Sequence, residues 1–368
     1  MEDRTHNADC VVVGGGLIGM LSARALAREG LTVILLEQGG LCRESSWAGG
    51  GIISPLVPWE YPDAVTALVR WSQPRYPQLA ADLLAETGID PEWTQSGLLL
   101  LDCEPDAKVA AWQSRFPCPL ERVLAARLQE TEPAIADGFG PALLLPEVAQ
   151  IRNPRLGRAL ARSLELQGIG VHEHCRVTGL RVVDDRVQGV NTAQGRFTAG
   201  RVVIAGGAWS AQIVASPVPG VPVEPVLGQM IMYQAPPGLL RHITVHDGYY
   251  LIPRRDGLVL AGSTLEWTGF QKHTTQAARA LLTGQALKLL PGLSAYPVVG
   301  HWSGLRPGSG DGVPLIGEVP GVRGLFLNAG HFRNGVGMAP ASARLLVDGM
   351  LGRESFTDPA VYVPALPV

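Results

Sequence analysis

A glycine pattern near the start constrains this chain more than anything else in it. Gly14-x-Gly16-x-x-Gly19 follows the apolar run "CVVV" (10–13) and opens a stretch, "MLSARALAREG", of helical composition that ends at Gly30 as a C-terminal cap. "LTVILLE" follows as a second buried strand, so the first forty or so residues predict a βαβ unit with a parallel sheet. Glycines at this spacing let the backbone turn tightly and approach a pyrophosphate, which the free N–H groups of a helix N-terminus attract. Glu37 closes the second strand, where a carboxylate accepts ribose hydroxyls and repels a 2′-phosphate. Many folds share the glycine pattern alone. Together with Glu37 and its strand-helix-strand setting it points to a dinucleotide other than NADP.

The 368 residues are 46% hydrophobic and 17% charged, enough for two domains with cores of their own. The formal net charge is -3 and no basic block occurs, which speaks against nucleic acid as a partner. Cys10, Cys42, Cys103, Cys118 and Cys175 are scattered and never spaced as CxxC, so neither a metal site nor a disulfide framework is expected, and a reducing cytoplasm fits. No apolar run has the length of a signal peptide or a membrane helix.

Further along, a helical stretch over 63–88 is interrupted by Pro74 and Pro77, and "SGLLLLDC" reads as a strand. A helix opens at Asn153-Pro154. The alternating segment after it suggests a hairpin that ends in a buried strand at "RVVIAGG". Antiparallel strands are expected over 221–262, a helix near 275–290, and a last helix from about 338 to 351. No linker or repeat separates these parts, so a second domain is expected to be woven into the first.

Two further Gly-rich loops decide between cofactors. "RESSWAGGGI" (43–52) carries two hydroxyls, Ser45 and Ser46, and "NAGHFRNGVGMAP" (328–340) leads straight into the last helix. A nicotinamide dinucleotide has no use for the last loop. Reduced flavin carries negative charge around N1 and the C2 carbonyl, which a helix N-terminus stabilises. The three loops together favour FAD.

Four pieces, "VVVGGGLIG" with Glu37, "SSWAGGG", "YYLIPR" (249–254), and "WSGLRPGSGDGVPLIG" followed by "GHFRNGVG", occur in the order found in one family. The chain resembles the FAD-dependent D-amino acid oxidase and glycine oxidase family, and most closely the bacterial glycine oxidases, through "HDGYYLIPR", "WSGLRPG" and "GHFRNG". The resemblance implies a fold of α/β plus α+β type. A Rossmann-type FAD-binding domain, over about 1–85, 148–218 and 303–368, is interleaved with an antiparallel-sheet substrate domain over about 86–147 and 219–302.

It also implies roles. Arg306 would pair with the substrate carboxylate through two parallel hydrogen bonds, Tyr250 would add a hydroxyl donor, and Arg333 would stand near substrate and flavin. The flavin contacts would fall on Gly14, Gly16, Leu17, Ile18 and Gly19; on Glu37 and Gln38; on Ser45, Ser46, Gly50, Gly51 and Ile52; and on His331, Phe332, Arg333, Asn334, Gly335, Val336 and Gly337. Val177 would touch the adenine. Competing roles are an Arg306 ion pair with Asp311 or Glu318, Tyr250 as an ordinary strand aromatic with Tyr249 in its place, and Arg333 as a loop clamp. Trp47 is bulkier than the family pattern. With no cysteine in the C-terminal half, FAD is expected to be non-covalent.

The implied reaction is oxidative deamination of glycine or another small amine, sarcosine and small D-amino acids included. O2 would be the acceptor, with hydrogen peroxide, a keto acid and ammonia as products, and the glycine imine a supply for thiamine thiazole synthesis. The rival is a dehydrogenase that passes electrons to a quinone. Relatives of this kind are homo-oligomers.

Overall fold

Cys10–Val13 is buried on both faces, and its side chains alternate between two cores: Cys10 and Val12 enter one, Val11 and Val13 the other. The computed structural model describes residues 5–216 and 218–364. Cys10–Val13 lies at the centre of a six-stranded sheet. In order across it run Leu315–Glu318, Leu325–Ala329, Arg201–Ile204, Cys10–Val13, Val33–Leu36 and Gly170–His172. All neighbours are parallel except the antiparallel Leu315–Glu318 edge. Helices Leu17–Arg28, Asn153–Leu166 and Gly335–Leu351 contribute Met20, Leu160 and Leu346 to the core on one face. A small sheet of Val177–Val183, Arg186–Thr192, Gly195–Thr198 and Thr5–Asn7 supplies Val187, Val190 and Phe197 to the other. The predicted hairpin is thus a three-stranded meander, and the predicted buried strand is Arg201–Ile204.

The second large sheet has eight strands. In order they are Val298–Gly308, Glu224–Gln234, Leu258–Gly262, Tyr249–Pro253, Ile243–His246, Leu98–Leu100, Ala142–Leu145 and Glu121–Val123. Only the contact between Ile243–His246 and Leu98–Leu100 is parallel. One face, with Ile231, Tyr233, Leu251 and Ala261, is covered by Leu282, Ala286 and Leu289 of helix Gln276–Leu289. The other face carries Met230, Tyr250, Ile252 and Leu260 and looks toward the parallel sheet's glycine loops.

The helical stretch over 63–88 breaks as its prolines require, into Asp63–Ser72, a 3-10 turn at Gln73–Arg75, and Tyr76–Thr87. The last helix departs from expectation. It begins at Gly335, within the glycine loop, after a 3-10 turn at Phe332–Asn334. Pro340 then lies inside it and leaves the Val336 carbonyl without its usual donor. The Tyr76 hydroxyl donates there instead, and the Ala341 amide donates to Ser72 Oγ at 3.1 Å.

Candidate active site

The loops and the second sheet enclose a cavity of 510 Å³. At one end are the first glycine turn, Glu37, Gln38 and Val177, and its wall includes Tyr250, Arg306 and Arg333. Of the residues singled out from the sequence, Gly14, Gly16, Leu17, Ile18, Glu37, Gln38, Ser45, Ser46, Gly50, Gly51, Ile52, Val177 and His331 to Val336 all line it, with Tyr250 and Arg306. Gly19 and Gly337 are absent from its lining. A side chain at Gly19 would overlap the Gly14 carbonyl, so this glycine serves helix–strand packing, and Gly337 packs against Val69 and Ser54.

At the first turn, Gly14 has φ +116° and sits against the Ala205 carbonyl, so no side chain fits. A Cβ at Gly16 would meet only Ser46 Oγ, 3.1 Å away. Gly16 is where the backbone stays open to a ligand. Glu37 accepts hydrogen bonds from the Gly15 and Gly39 amides, both at 2.7 Å, and so ties the turn to the second strand. Ser46 Oγ accepts from the Leu17 amide at 2.9 Å. The N-cap residue of the Leu17–Arg28 helix, Gly16, has no side chain to cap it, and among the described residues the Ile18 amide has no acceptor.

The last helix also starts uncapped. Asn334 precedes it with Nδ2 buried and unpartnered, and Asn328 Oδ1 is likewise unpartnered. Phe332 holds φ +43°, a left-handed conformation costly for a bulky side chain and characteristic of functional sites. His331 is buried against Ser342 Oγ at 2.9 Å, and burial pushes its pKa down to about 3, so the ring is neutral. Because Ser342 Oγ already donates to the Met338 carbonyl at 3.0 Å, the imidazole must be the donor in the His331–Ser342 bond.

Strand register builds the other end. Trp302 pairs with Met230, Met230 with Gly262, and Gly262 with Tyr250, one row across four strands. With a side-chain period of two, Arg306, Gly304 and Trp302 share the face of Gly228 and Met230. Arg306 lies over Gly228: a Cβ built there would fall 2.0 Å from its Nη1. Nη1 donates to the Thr264 carbonyl at 3.1 Å and the Leu227 carbonyl at 3.4 Å, and Nη2 donates to Ser263 Oγ at 2.7 Å. Burial lowers the Arg306 pKa, Tyr250 opposes that shift and Arg333 adds to it, yet arginine remains charged at any working pH.

Among the described residues Arg306 has no carboxylate partner. Asp311 accepts from the Val313 amide and Glu318 from the Gly324 amide, so neither is the partner of Arg306. Arg333 likewise makes no hydrogen bond or ion pair among the described residues. Tyr250 lies over Gly262, its hydroxyl meeting Met230 Sδ at 3.8 Å and bearing on the Arg306 guanidinium, whereas Tyr249 packs on the opposite face. Trp47 stacks edge-on against Trp302 at 6.0 Å and is absent from the cavity lining. Tyr61, Met230, Ser263 and Gly228 line the cavity as well and carry no local sequence signature, whereas Asn328 opens the third glycine loop. The glycine pair Gly206-Gly207, after the strand at 201–204, did offer a signal, since ligands gather beyond the ends of parallel strands.

A model of the DAO family, described as FAD-dependent oxidoreductase, matches residues 9–349. The chain belongs to this family. It is 47% identical to the glycine oxidase of Pseudomonas putida over 96% of its own length and 97% of that protein. Against the glycine oxidase of Pseudomonas aeruginosa the identity is 48%, over 96% and 98%. The crystal structure of glycine oxidase from Geobacillus kaustophilus superposes with a TM-score of 0.92 at 29% identity, covering 99% of this chain and all of that one. The family's cofactor is FAD, and the residues present fit it. Gly16 leaves room for a diphosphate at a helix start with a free amide, and Asn328 and Asn334, whose Oδ1 and Nδ2 respectively are unpartnered, line the same cavity as a second uncapped helix.

Proposed function

We propose that this protein is an FAD-dependent oxidase of glycine and similarly small amines. The observation that carries the reading is Arg306, a cation set into the wall of the flavin cavity with only neutral acceptors around it. A buried cation without a counter-charge is costly, and an incoming carboxylate supplies the charge and two parallel hydrogen bonds. Tyr250 adds a hydroxyl donor whose weak bond to Met230 is readily exchanged. Arg333 raises the positive potential at the same end. Glu37 and Gln38 with Val177 would hold the adenosine part of FAD, Gly14 to Ile18 with Ser45 and Ser46 the diphosphate, and Gly50 to Ile52 with His331 to Val336 the flavin, all without a covalent bond.

Bound FAD supplies the two-electron acceptor, with O2 restoring its oxidised form and hydrogen peroxide leaving. The protein's part is placement: fixing the carboxylate fixes the Cα. His331 is neutral and committed to Ser342, and the lining carboxylates are committed too, Glu37 to backbone amides and Glu44 to Lys272 at 2.8 Å. Among the described lining residues no general base stands free, so the amine loses its proton to water. The imine product hydrolyses to glyoxylate and ammonia. A supply of this imine to thiazole synthesis agrees with the relative named "Bifunctional protein ThiO/ThiG" from Trichormus variabilis, 29% identical over 94% of this chain and 53% of that protein. We assign the protein to the cytoplasm as a homo-oligomer; among the described residues no helix is long and apolar enough to cross a membrane. We also propose two interleaved domains, an FAD-binding one over about 1–85, 148–218 and 303–368 and a substrate one over about 86–147 and 219–302.

The test is oxygen uptake and peroxide release with glycine, sarcosine, D-alanine and D-proline. Turnover best on the smallest substrates supports the reading. Flavin bleaching without oxygen uptake makes the protein a dehydrogenase, and no bleaching with any of the four removes the proposal.

A further inference from the structure

The acceptors that hold Arg306 lie just beyond the end of strand Leu258–Gly262, where the regular ladder stops. A compact polar network takes over there. The Leu227 and Glu266 backbones exchange two hydrogen bonds, at 2.8 and 2.9 Å. The Gln229 amide donates to Thr264 Oγ1 at 2.9 Å, and Thr264 Oγ1 donates to Glu266 Oε1 at 2.5 Å. The Gln229 side chain is wholly buried and satisfied at all four positions. Its Nε2 donates to Glu266 Oε1 at 2.9 Å and to Thr275 Oγ1 at 3.5 Å, and its Oε1 accepts from the Thr275 amide at 2.9 Å and from His301 Nε2 at 3.1 Å. Thr275 in turn caps helix Gln276–Leu289, with Oγ1 accepting from the Ala278 amide at 3.1 Å.

We infer that Gln229 and Glu266 are positioning residues for substrate carboxylate binding: they lock Ser263 and Thr264 in place, and these hold the Arg306 guanidinium ready. Gln229 lies between Gly228 and Met230, which face the cavity, so its own side chain points away and touches no substrate. Its effect passes through the fixed segment. A fully satisfied buried network has one low-energy arrangement, and a single arrangement of the acceptors leaves the guanidinium one orientation. The inference rests on the reading of Arg306 as the carboxylate anchor.

The experiment uses the FAD-loaded protein and acetate as a carboxylate probe, with acetate affinity read by calorimetry beside glycine KM and kcat. Gln229→Leu and Glu266→Ala should each keep bound FAD and kcat, and weaken acetate binding and raise KM about tenfold, the scale of one misplaced hydrogen bond to a charged group. Glu266→Gln keeps an acceptor oxygen and should retain near-native acetate affinity. Half-buried Glu266 tolerates truncation better than Gln229, so the test survives poor folding of Gln229→Leu. If both truncations leave acetate affinity and KM unchanged while Arg306→Ala weakens them, the inference is overturned and the anchor reading stands. If the truncations lower thermal stability alone, the network is merely structural, and the inference is again overturned. If Arg306→Ala binds acetate as the native protein does, the anchor reading falls and takes the inference with it.

Discussion

Gly228→Ala isolates the anchor from the fold. The added methyl would lie 2.0 Å from Arg306 Nη1 and 2.3 Å from Cζ and Nη2, whereas ordinary contact begins at 3.4 Å. The guanidinium must therefore retreat by more than an ångström. Its hydrogen bond to Ser263 Oγ at 2.7 Å does not survive a displacement of that size, and the longer bonds to Leu227 and Thr264 are weaker still. Because the clash is with the far end of a flexible side chain and not with backbone, the sheet itself is little disturbed, and stability should fall by no more than about 1 kcal/mol. The substrate loses a bidentate charge-assisted pair, about 3 kcal/mol, which corresponds to roughly a hundredfold rise in glycine KM. Steady-state oxygen uptake gives KM, and the flavin spectrum with a thermal melt checks cofactor and fold. A variant with native KM would refute the account of how Arg306 is seated. So would one that loses FAD.

Further expectations concern other parts of the cavity. Tyr250→Phe removes a hydroxyl that the fold hardly uses, so the melting temperature should hold while KM rises about tenfold. Gly16→Ala and Gly19→Ala should separate binding from folding: the first yields soluble protein with weakened FAD binding, and the second, which drives a methyl into the Gly14 carbonyl, yields insoluble protein. Ultrafiltration of added FAD and a solubility assay distinguish them. His331, with a folded pKa near 3 against an ordinary 6.5, favours the folded state in its neutral form. Its contribution is complete above pH 6.5 and is lost as pH falls toward 3, because the unfolded chain binds the extra proton first. Denaturant melts of the native protein and His331→Gln across that window should show the native protein's advantage shrinking with acid. A constant difference would mean that His331 is not held neutral.

The dinucleotide end was largely legible because its signals are local. Strand, glycine turn and helix are neighbours in the chain, and Gly14, Gly16, Glu37 and Ser46 stand within a short stretch whose backbone dictates where they point. Arg306, Tyr250 and Arg333 were legible by resemblance alone. Nothing in the local chemistry of "WSGLRPGSG" distinguishes an anchor from an ion pair with Asp311 or Glu318. The start of the last helix was misplaced because Gly335 and Gly337 read as loop, and Pro340 within it is accommodated only through Tyr76 and Ser72, from two other helices.

The βαβ unit, the acid that closes it and the three glycine loops each follow from residues that touch along the chain. Tertiary structure alone decided the substrate end. Gly228 makes room for Arg306 only because strand pairing sets Val226 opposite Arg306, and Gly262 seats Tyr250 only because the two are register partners. Register joins distant strands at Gly228 and the two arms of a hairpin at Gly262, and in neither case does a residue's own neighbourhood show it. It turns ordinary glycines into a socket for a cation and assigns Ser263 and Thr264, silent in the sequence, to hold it.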